Sequence, residues 1–128
     1  MKKYENFCKA LQNLHEIYQY EVPYNTVTLT GLVGLYGICF EQSWKTMKEI
    51  LYQNGVTAAT GSPRSIIKEA YAAGMIHEEQ LWLEAMQDRN NVAHAYNEDI
   101  ANDIVRNAKE KYVQIFEDLK EEIKDNWS

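Results

Sequence analysis

Apolar positions recur along most of the chain with helical period. Tyr4, Phe7, Cys8, Leu11, Leu14, His15 and Tyr18 follow the i, i+3, i+4, i+7 rhythm of one buried stripe. Pro23 then stops the helix that they define. Residues 25–54 pull in two directions. Val27-Thr28-Leu29-Thr30 suits a strand by propensity, and Gly31, Gly34 and Gly37 each weaken a helix by roughly 1 kcal/mol. Yet no turn signal interrupts Leu32 to Leu51, and Phe40, Trp44, Met47, Lys48 and Leu51 keep helical period. The spacing predicts one long helix whose glycines let another helix approach closely. Gly55 ends it, and a loop runs to Gly61. Ser62 as N-cap with Pro63 in the first turn starts a third helix, Pro63 to Ala73, closed by Gly74. A fourth begins near His77-Glu78-Glu79, buries Leu81, Trp82, Ala85 and Met86, and reaches Arg89. Asn97 caps the last helix, with the stripe Ile100, Ile104, Ala108, Tyr112, Ile115, Phe116, Leu119 and Ile123. About five helices without a hairpin signal predict an all-α, up-and-down helical bundle in one domain, residues 1–128.

Composition narrows the setting. With 45% hydrophobic and 25% charged residues, the 128-residue chain has ordinary globular character. Its two cysteines, Cys8 and Cys39, form no metal-ligand spacing and no disulfide framework, so a cytoplasmic setting is expected. The basic start runs straight into an amphipathic pattern, unlike a signal peptide. Val27 to Phe40 is too short and threonine-rich to span a bilayer, so no membrane association is expected. His15 lacks a companion at metal spacing and reads as a satisfied core-edge residue. The formal net charge of −6 argues against broad adhesion to nucleic acid, and DNA is not an expected partner. Any RNA contact must be a local pocket.

Candidate chemistry concentrates in Arg89-Asn90-Asn91-Val92-Ala93-His94-Ala95-Tyr96. A guanidinium can hold a phosphate through two parallel hydrogen bonds, and an imidazole can carry a proton near neutral pH. Those two groups suffice for RNA cleavage without a metal or other cofactor. At about 100° per residue on a helix, Arg89 and His94 stand roughly 140° apart, whereas Arg89 and Tyr96 share nearly one face. Either the backbone breaks between Arg89 and His94, or two chains share the work. Plainer uses exist for each residue. Arg89 can bind carbonyls at a helix end, Asn90-Asn91 can terminate the helix, and His94 and Tyr96 can pack at an edge. Asp88 either orients Arg89 or is a solvated helix residue. Glu41 and Lys45 suit an intrahelical pair worth about 0.2–0.5 kcal/mol, and Trp44 reads as core.

Taken with Phe40-Glu41-x-x-Trp44-Lys45, Ser62-Pro63-Arg64 and Ala73-Gly74-Met75-Ile76, the octet resembles the HEPN superfamily. The closer likeness is to its branch of nucleotidyltransferase substrate-binding proteins, or HepT-type toxins, over roughly residues 35 to 125. Arg-x4-His alone is a weak pattern; the ordered set is specific. The glycine-rich 31–37 stretch departs from the branch.

The resemblance implies a homodimer whose two motifs face each other across a two-fold axis. It implies an RNA-cleaving toxin with Arg89 and His94 as the catalytic pair, Asn90 in support, and Glu41 facing the motif. It also implies a cognate minimal nucleotidyltransferase (MNT) as antitoxin, with Tyr96 accepting AMP. A rival from another class is a non-catalytic subunit that binds substrate for the nucleotidyltransferase. A third reading is a purely structural interaction module.

Overall fold

A computed structural model of the chain describes residues 2–56 and 61–127. Helix α1 (Lys2–Leu14) ends in a 3₁₀ turn, His15–Gln19, and is followed by α2 (Thr26–Gln53), α3 (Pro63–Ala72) and α4 (Glu79–Asn90). A second 3₁₀ turn, Asn91–His94, leads to α5 (Glu98–Asn107). A π turn, Ala108–Tyr112, then joins α5 to α6 (Val113–Asn126) in one unbroken rod. With that rod counted once, the described residues form the expected all-α bundle of five helices, and no strand is present among them. None of these helices is long and apolar enough to cross a membrane. Most of the loop read between Gly55 and Gly61, residues 57–60, lies outside the described residues.

The central element is α2, whose 28 residues extend about 42 Å. Asn25 Oδ1 accepts the Thr28 N–H at 2.8 Å to cap it, and Gly55, at φ 86°, turns the chain away at its end. Val27-Thr28-Leu29-Thr30 is helical despite its strand propensity, because Leu29, Leu32 and Val33 reach the core only on a 3.6-residue period. The core gathers around Phe116 on α6. Its ring lies 6.3 Å from Phe7, 6.2 Å from Tyr36 and 5.5 Å from Trp82, so one side chain ties α1, α2 and α4 to the last rod. Such aromatic pairs add about 0.5–1.5 kcal/mol each beyond area burial.

The structure corrects several expectations. The stripe of the first helix stops at Leu14, where the tighter 3₁₀ turn brings Ile17 inward and leaves Tyr18 45% exposed. His15 is on the surface, 2.6 Å from Glu117 Oε1, a satisfied histidine. Ser62 occupies the N-cap position of α3 without a side-chain cap bond, and Ser65 Oγ instead donates to its carbonyl at 2.9 Å. Trp44 is half-buried at the rim rather than in the core. On the last rod, Ile100, Ile104, Ala108 and Tyr112 advance in steps of four, which overshoot a 3.6-residue turn by about 40° each. The π turn, with its wider loop of backbone, takes up that drift and returns Ile115, Phe116 and Leu119 to the core.

The glycines give the largest correction. No part of the described chain approaches Gly31 or Gly34, where an added Cβ would meet nothing within 4 Å. Only Gly37 faces a neighbour, with Arg89 Cδ 3.6 Å and Nε 3.7 Å from such a Cβ. Within one chain, then, Gly31 and Gly34 weaken α2 without a packing return. Gly31→Ala and Gly34→Ala should each stabilise the monomeric chain by about 0.5–1 kcal/mol, read as a higher urea midpoint at high dilution. A lower midpoint would mean that something outside the chain's own fold fills the space beside them.

Candidate functional site

The C-terminal turn of α4 is tied down from two directions. On one side, the Tyr36 hydroxyl of α2 donates to the Ala85 carbonyl. On the other, Asp88 Oδ2 accepts from the Tyr112 hydroxyl at 2.6 Å and from Asn107 Nδ2 at 3.0 Å. Asp88 therefore neither orients Arg89 directly nor sits free in solvent; it staples α4 to the π turn. Burial, then the hydrogen bond and charge of Asp88, push the Tyr112 phenol well above its usual range, so it remains a proton donor. Burial does the same for Tyr36, reinforced by Tyr112 and Asp88 and opposed by the Arg89 charge. The two rings stack with centroids 5.4 Å apart.

Held this way, Arg89 lies across α2. Its Nη2 is 3.2 Å from Glu41 Oε1, with the two side chains 33% and 29% exposed. Glu41 thus pairs with the arginine of the octet as well as with neighbours on its own helix. Its other oxygen accepts from Trp44 Nε1 at 3.2 Å and lies 3.9 Å from Lys45 Nζ. Arg89 Nε is buried and finds no hydrogen-bond partner among the described residues. Gly34, Gly37, Ile38, Glu41, Gln42, Arg89 and Val92 line a shallow groove of about 320 Å³ here.

His94 does not line that groove. The helix breaks after Asn90, as one of the two alternatives from spacing required, but the 3₁₀ turn leaves His94 exposed on the surface. The neighbour of its ring is Tyr96, edge-on at a centroid distance of 6.5 Å, and Tyr96 is 89% exposed. Asn90 is also exposed, beside Arg89 in sequence. The fold therefore brings together Arg89, Glu41 and the Gly37 backbone, and separately His94 and Tyr96. It does not join the two groups within one chain. Among the described residues there is no cluster of three or more His, Cys, Asp or Glu arranged to hold a metal ion.

Two features here escaped sequence reasoning. The Asp88–Tyr112–Asn107 network joins residues 19 and 24 positions apart, and nothing local in the sequence announces it. The contact of Gly37 with Arg89 was equally hidden, since the glycine repeat at 31, 34 and 37 gives no sign that only the third faces a neighbour.

Comparison with known proteins places the chain. A crystal structure of a Thermus thermophilus protein is similar to it, with a TM-score of 0.79 and 28% identity, covering 88% of this chain and 94% of that one. Among curated proteins no match is found. The family model described as nucleotidyltransferase substrate binding protein like matches residues 2–125. The chain, matched over nearly its whole length, belongs to the nucleotidyltransferase substrate binding protein-like family.

Proposed function

We propose that this protein is an RNA-cleaving toxin of the HEPN, HepT-like kind, which acts as a homodimer and is silenced by a cognate minimal nucleotidyltransferase. One observation carries the reading: Arg89 is folded onto Glu41 in a groove that His94 of the same chain does not line. A single chain presents two half-sites, and a second copy related by a two-fold axis near residues 89–96 would set each Arg89 against the partner's His94. The exposed Val27, Gly31 and Ile38, with half-exposed Gly34, offer apolar surface beside the groove. A stable dimer would bury about 1,200–2,000 Å² in total.

In this scheme His94, as base, takes the proton of a ribose 2′-hydroxyl. The O2′ atom attacks the adjacent phosphorus, the P–O5′ bond breaks, and the departing O5′ takes up a proton. The products are a 2′,3′-cyclic phosphate and a 5′-hydroxyl. Arg89 balances the charge that builds on the non-bridging oxygens, and Asn90 supports it with an amide. A well-placed histidine base contributes about 10²- to 10⁴-fold. At rest Glu41 occupies the guanidinium, so a phosphate must compete with a carboxylate for it.

The family description favours a second reading, a non-catalytic subunit that binds substrate for a nucleotidyltransferase. The presence of both Arg89 and His94 favours catalysis, since a binding subunit has no need of the pair.

Arg89→Ala and His94→Ala should each lower RNA cleavage at least about 10²-fold and relieve growth arrest, with circular dichroism unchanged. Mixing the two variants should restore part of the activity, and the parent should sediment as a dimer. Folded variants as toxic as the parent would overturn the ribonuclease reading. A parent that cuts nothing but co-purifies with the nucleotidyltransferase would favour the second one.

Control is expected through Tyr96, whose 89% exposure exceeds even the 67% of Tyr52. Its phenol oxygen would attack the α-phosphorus of ATP and release pyrophosphate and a proton. AMP there adds a negative charge and a bulky nucleoside beside His94, obstructing RNA. Incubation with the nucleotidyltransferase, ATP and magnesium should raise the mass by one or more AMP units. Tyr96→Phe should lose that increase and remain toxic. AMP found on Tyr52 instead would reassign the acceptor.

A further inference from the structure

Three of the five lysines in residues 1–60 line one cleft. Lys3, Trp44, Lys45, Lys48, Glu49 and Tyr52 surround an open space of about 830 Å³ on the outer side of α2, next to the N-terminus of α1. In a chain of net charge −6 this is a local excess of two positive charges, three lysines against one glutamate. Its aromatic surface is equally specific. Lys48 Nζ stands 5.9 Å from the centroid of the Trp44 ring, and Tyr52 is 67% exposed. Lys3 reaches Glu49 only at 4.0 Å and Lys45 reaches Glu41 only at 3.9 Å. Exposed pairs of that length are weak and exchange readily for a phosphate.

We propose that this cleft is a strand-binding subsite for single-stranded RNA, with bases stacking on Trp44 and Tyr52 and phosphates held by Lys45 and Lys48. Stacking platforms between cations fit a strand because every base has a π-face and every linkage a charge. An acidic peptide would use the lysines and leave the aromatic rings without a role. Placement supports the assignment. Glu41, Lys45, Lys48 and Tyr52 fall on one stripe of α2 at i, i+4, i+7 and i+11. From Glu41 that stripe runs about 10 Å to Lys48 and 16 Å to Tyr52, at roughly 1.5 Å per residue. Glu41 itself touches Arg89 through one oxygen and Trp44 and Lys45 through the other, so the subsite begins where the Arg89 groove ends. That the bound strand is a substrate rests on the ribonuclease reading; that a strand binds here does not.

The test titrates the full chain with a fluorescein-labelled 2′-O-methyl oligoribonucleotide, which cannot undergo attack by O2′, and in a parallel arm with AMP. We expect the oligomer to bind and to quench tryptophan emission. Lys48→Ala, at a half-buried side chain outside the core, and Tyr52→Ala, at an exposed one, should each weaken binding about 5- to 10-fold. Lys48→Ala should also flatten the slope of log affinity against log salt by about 1. Trp44→Phe should keep most of the affinity and lose most of the quench, since of the other two tryptophans Trp82 is buried in the core and Trp127, bonded to Glu122 at the end of α6, is outside the cleft. Unchanged affinity and salt slope in both Lys48→Ala and Tyr52→Ala would overturn the proposal. So would AMP binding as tightly as the oligomer, which marks a nucleotide pocket, or a polyglutamate peptide binding with the same lysine dependence and none on Tyr52. A parent that binds through these residues yet cleaves no RNA leaves the subsite standing and removes the ribonuclease reading. A Lys48→Ala/Tyr52→Ala double variant that binds the oligomer and cleaves RNA as well as the parent does the reverse.

Discussion

The Tyr36 hydroxyl donates to the Ala85 carbonyl, and through that bond the register between α2 and α4 is set. One turn on from Ala85 is Arg89; next to Tyr36, and one turn further, are Gly37 and Glu41. Fixing Tyr36 against Ala85 therefore delivers the guanidinium over the Gly37 backbone and onto the Glu41 carboxylate. The bond lies inside an apolar stack with Tyr112 and Phe116, where an unpaired hydroxyl or carbonyl would cost about 1–3 kcal/mol. The core thus holds the register strongly. Asp88 adds the second point of attachment, because Asn107 at the end of α5 and Tyr112 in the π turn come close enough to share its carboxylate.

Charge on the exposed side of α2 is organised around Glu41. Its carboxylate meets Arg89, Lys45 and the Trp44 indole at once, so no single partner has it fully. A carboxylate shared among three donors in a half-exposed setting gives each a modest hold. An incoming phosphate, which accepts through more oxygens and carries a comparable or larger charge, can therefore replace it at Arg89 or Lys45 without breaking the fold. The buried polar network and this surface network are distinct in purpose. The first fixes backbone, and the second holds its cations loosely at the surface.

Helical period made the fold legible almost throughout, since Leu11, Phe40, Trp82, Phe116 and their neighbours announce buried faces at 3.6-residue spacing. It failed where the backbone leaves that period. The 3₁₀ turn after Leu14 exchanged Tyr18 for Ile17 in the core, and the π turn at Ala108–Tyr112 showed only as a run of four-residue steps. The site was legible in part. Arg89, His94 and Tyr96 stood out by type and spacing, but the helical spacing that parted Arg89 from His94 also put Tyr96 on the face of Arg89, whereas the helix ends at Asn90 and the fold sets Tyr96 beside His94. Glu41 was indicated by the family resemblance and not by spacing, and Tyr112 and Asn107, which come from distant sequence and meet Asp88 beside the octet only after the core has formed, were not legible. The stripe Glu41, Lys45, Lys48, Tyr52 was readable as a period, but its surface character depends on which side of α2 the core takes.

If Arg89 and His94 are the catalytic pair, as proposed, their separation within one chain bears on control. A catalytic pair assembled inside one chain would be active as soon as that chain folded. Here the arginine half rests on Glu41 and the histidine half stands in solvent beside Tyr96. On the proposed reading, activity then depends on two events that concentration and modification can each govern: pairing with a second copy, and the state of the Tyr96 phenol. A phosphate attached to Tyr96 would sit on the histidine side of its own chain and, across the two-fold axis, within the reach of the partner's Arg89. It would compete for the same guanidinium that Glu41 holds at rest. The same electrostatic demand by Arg89 for one anion would then serve the resting chain, the modified chain and the transition state in turn.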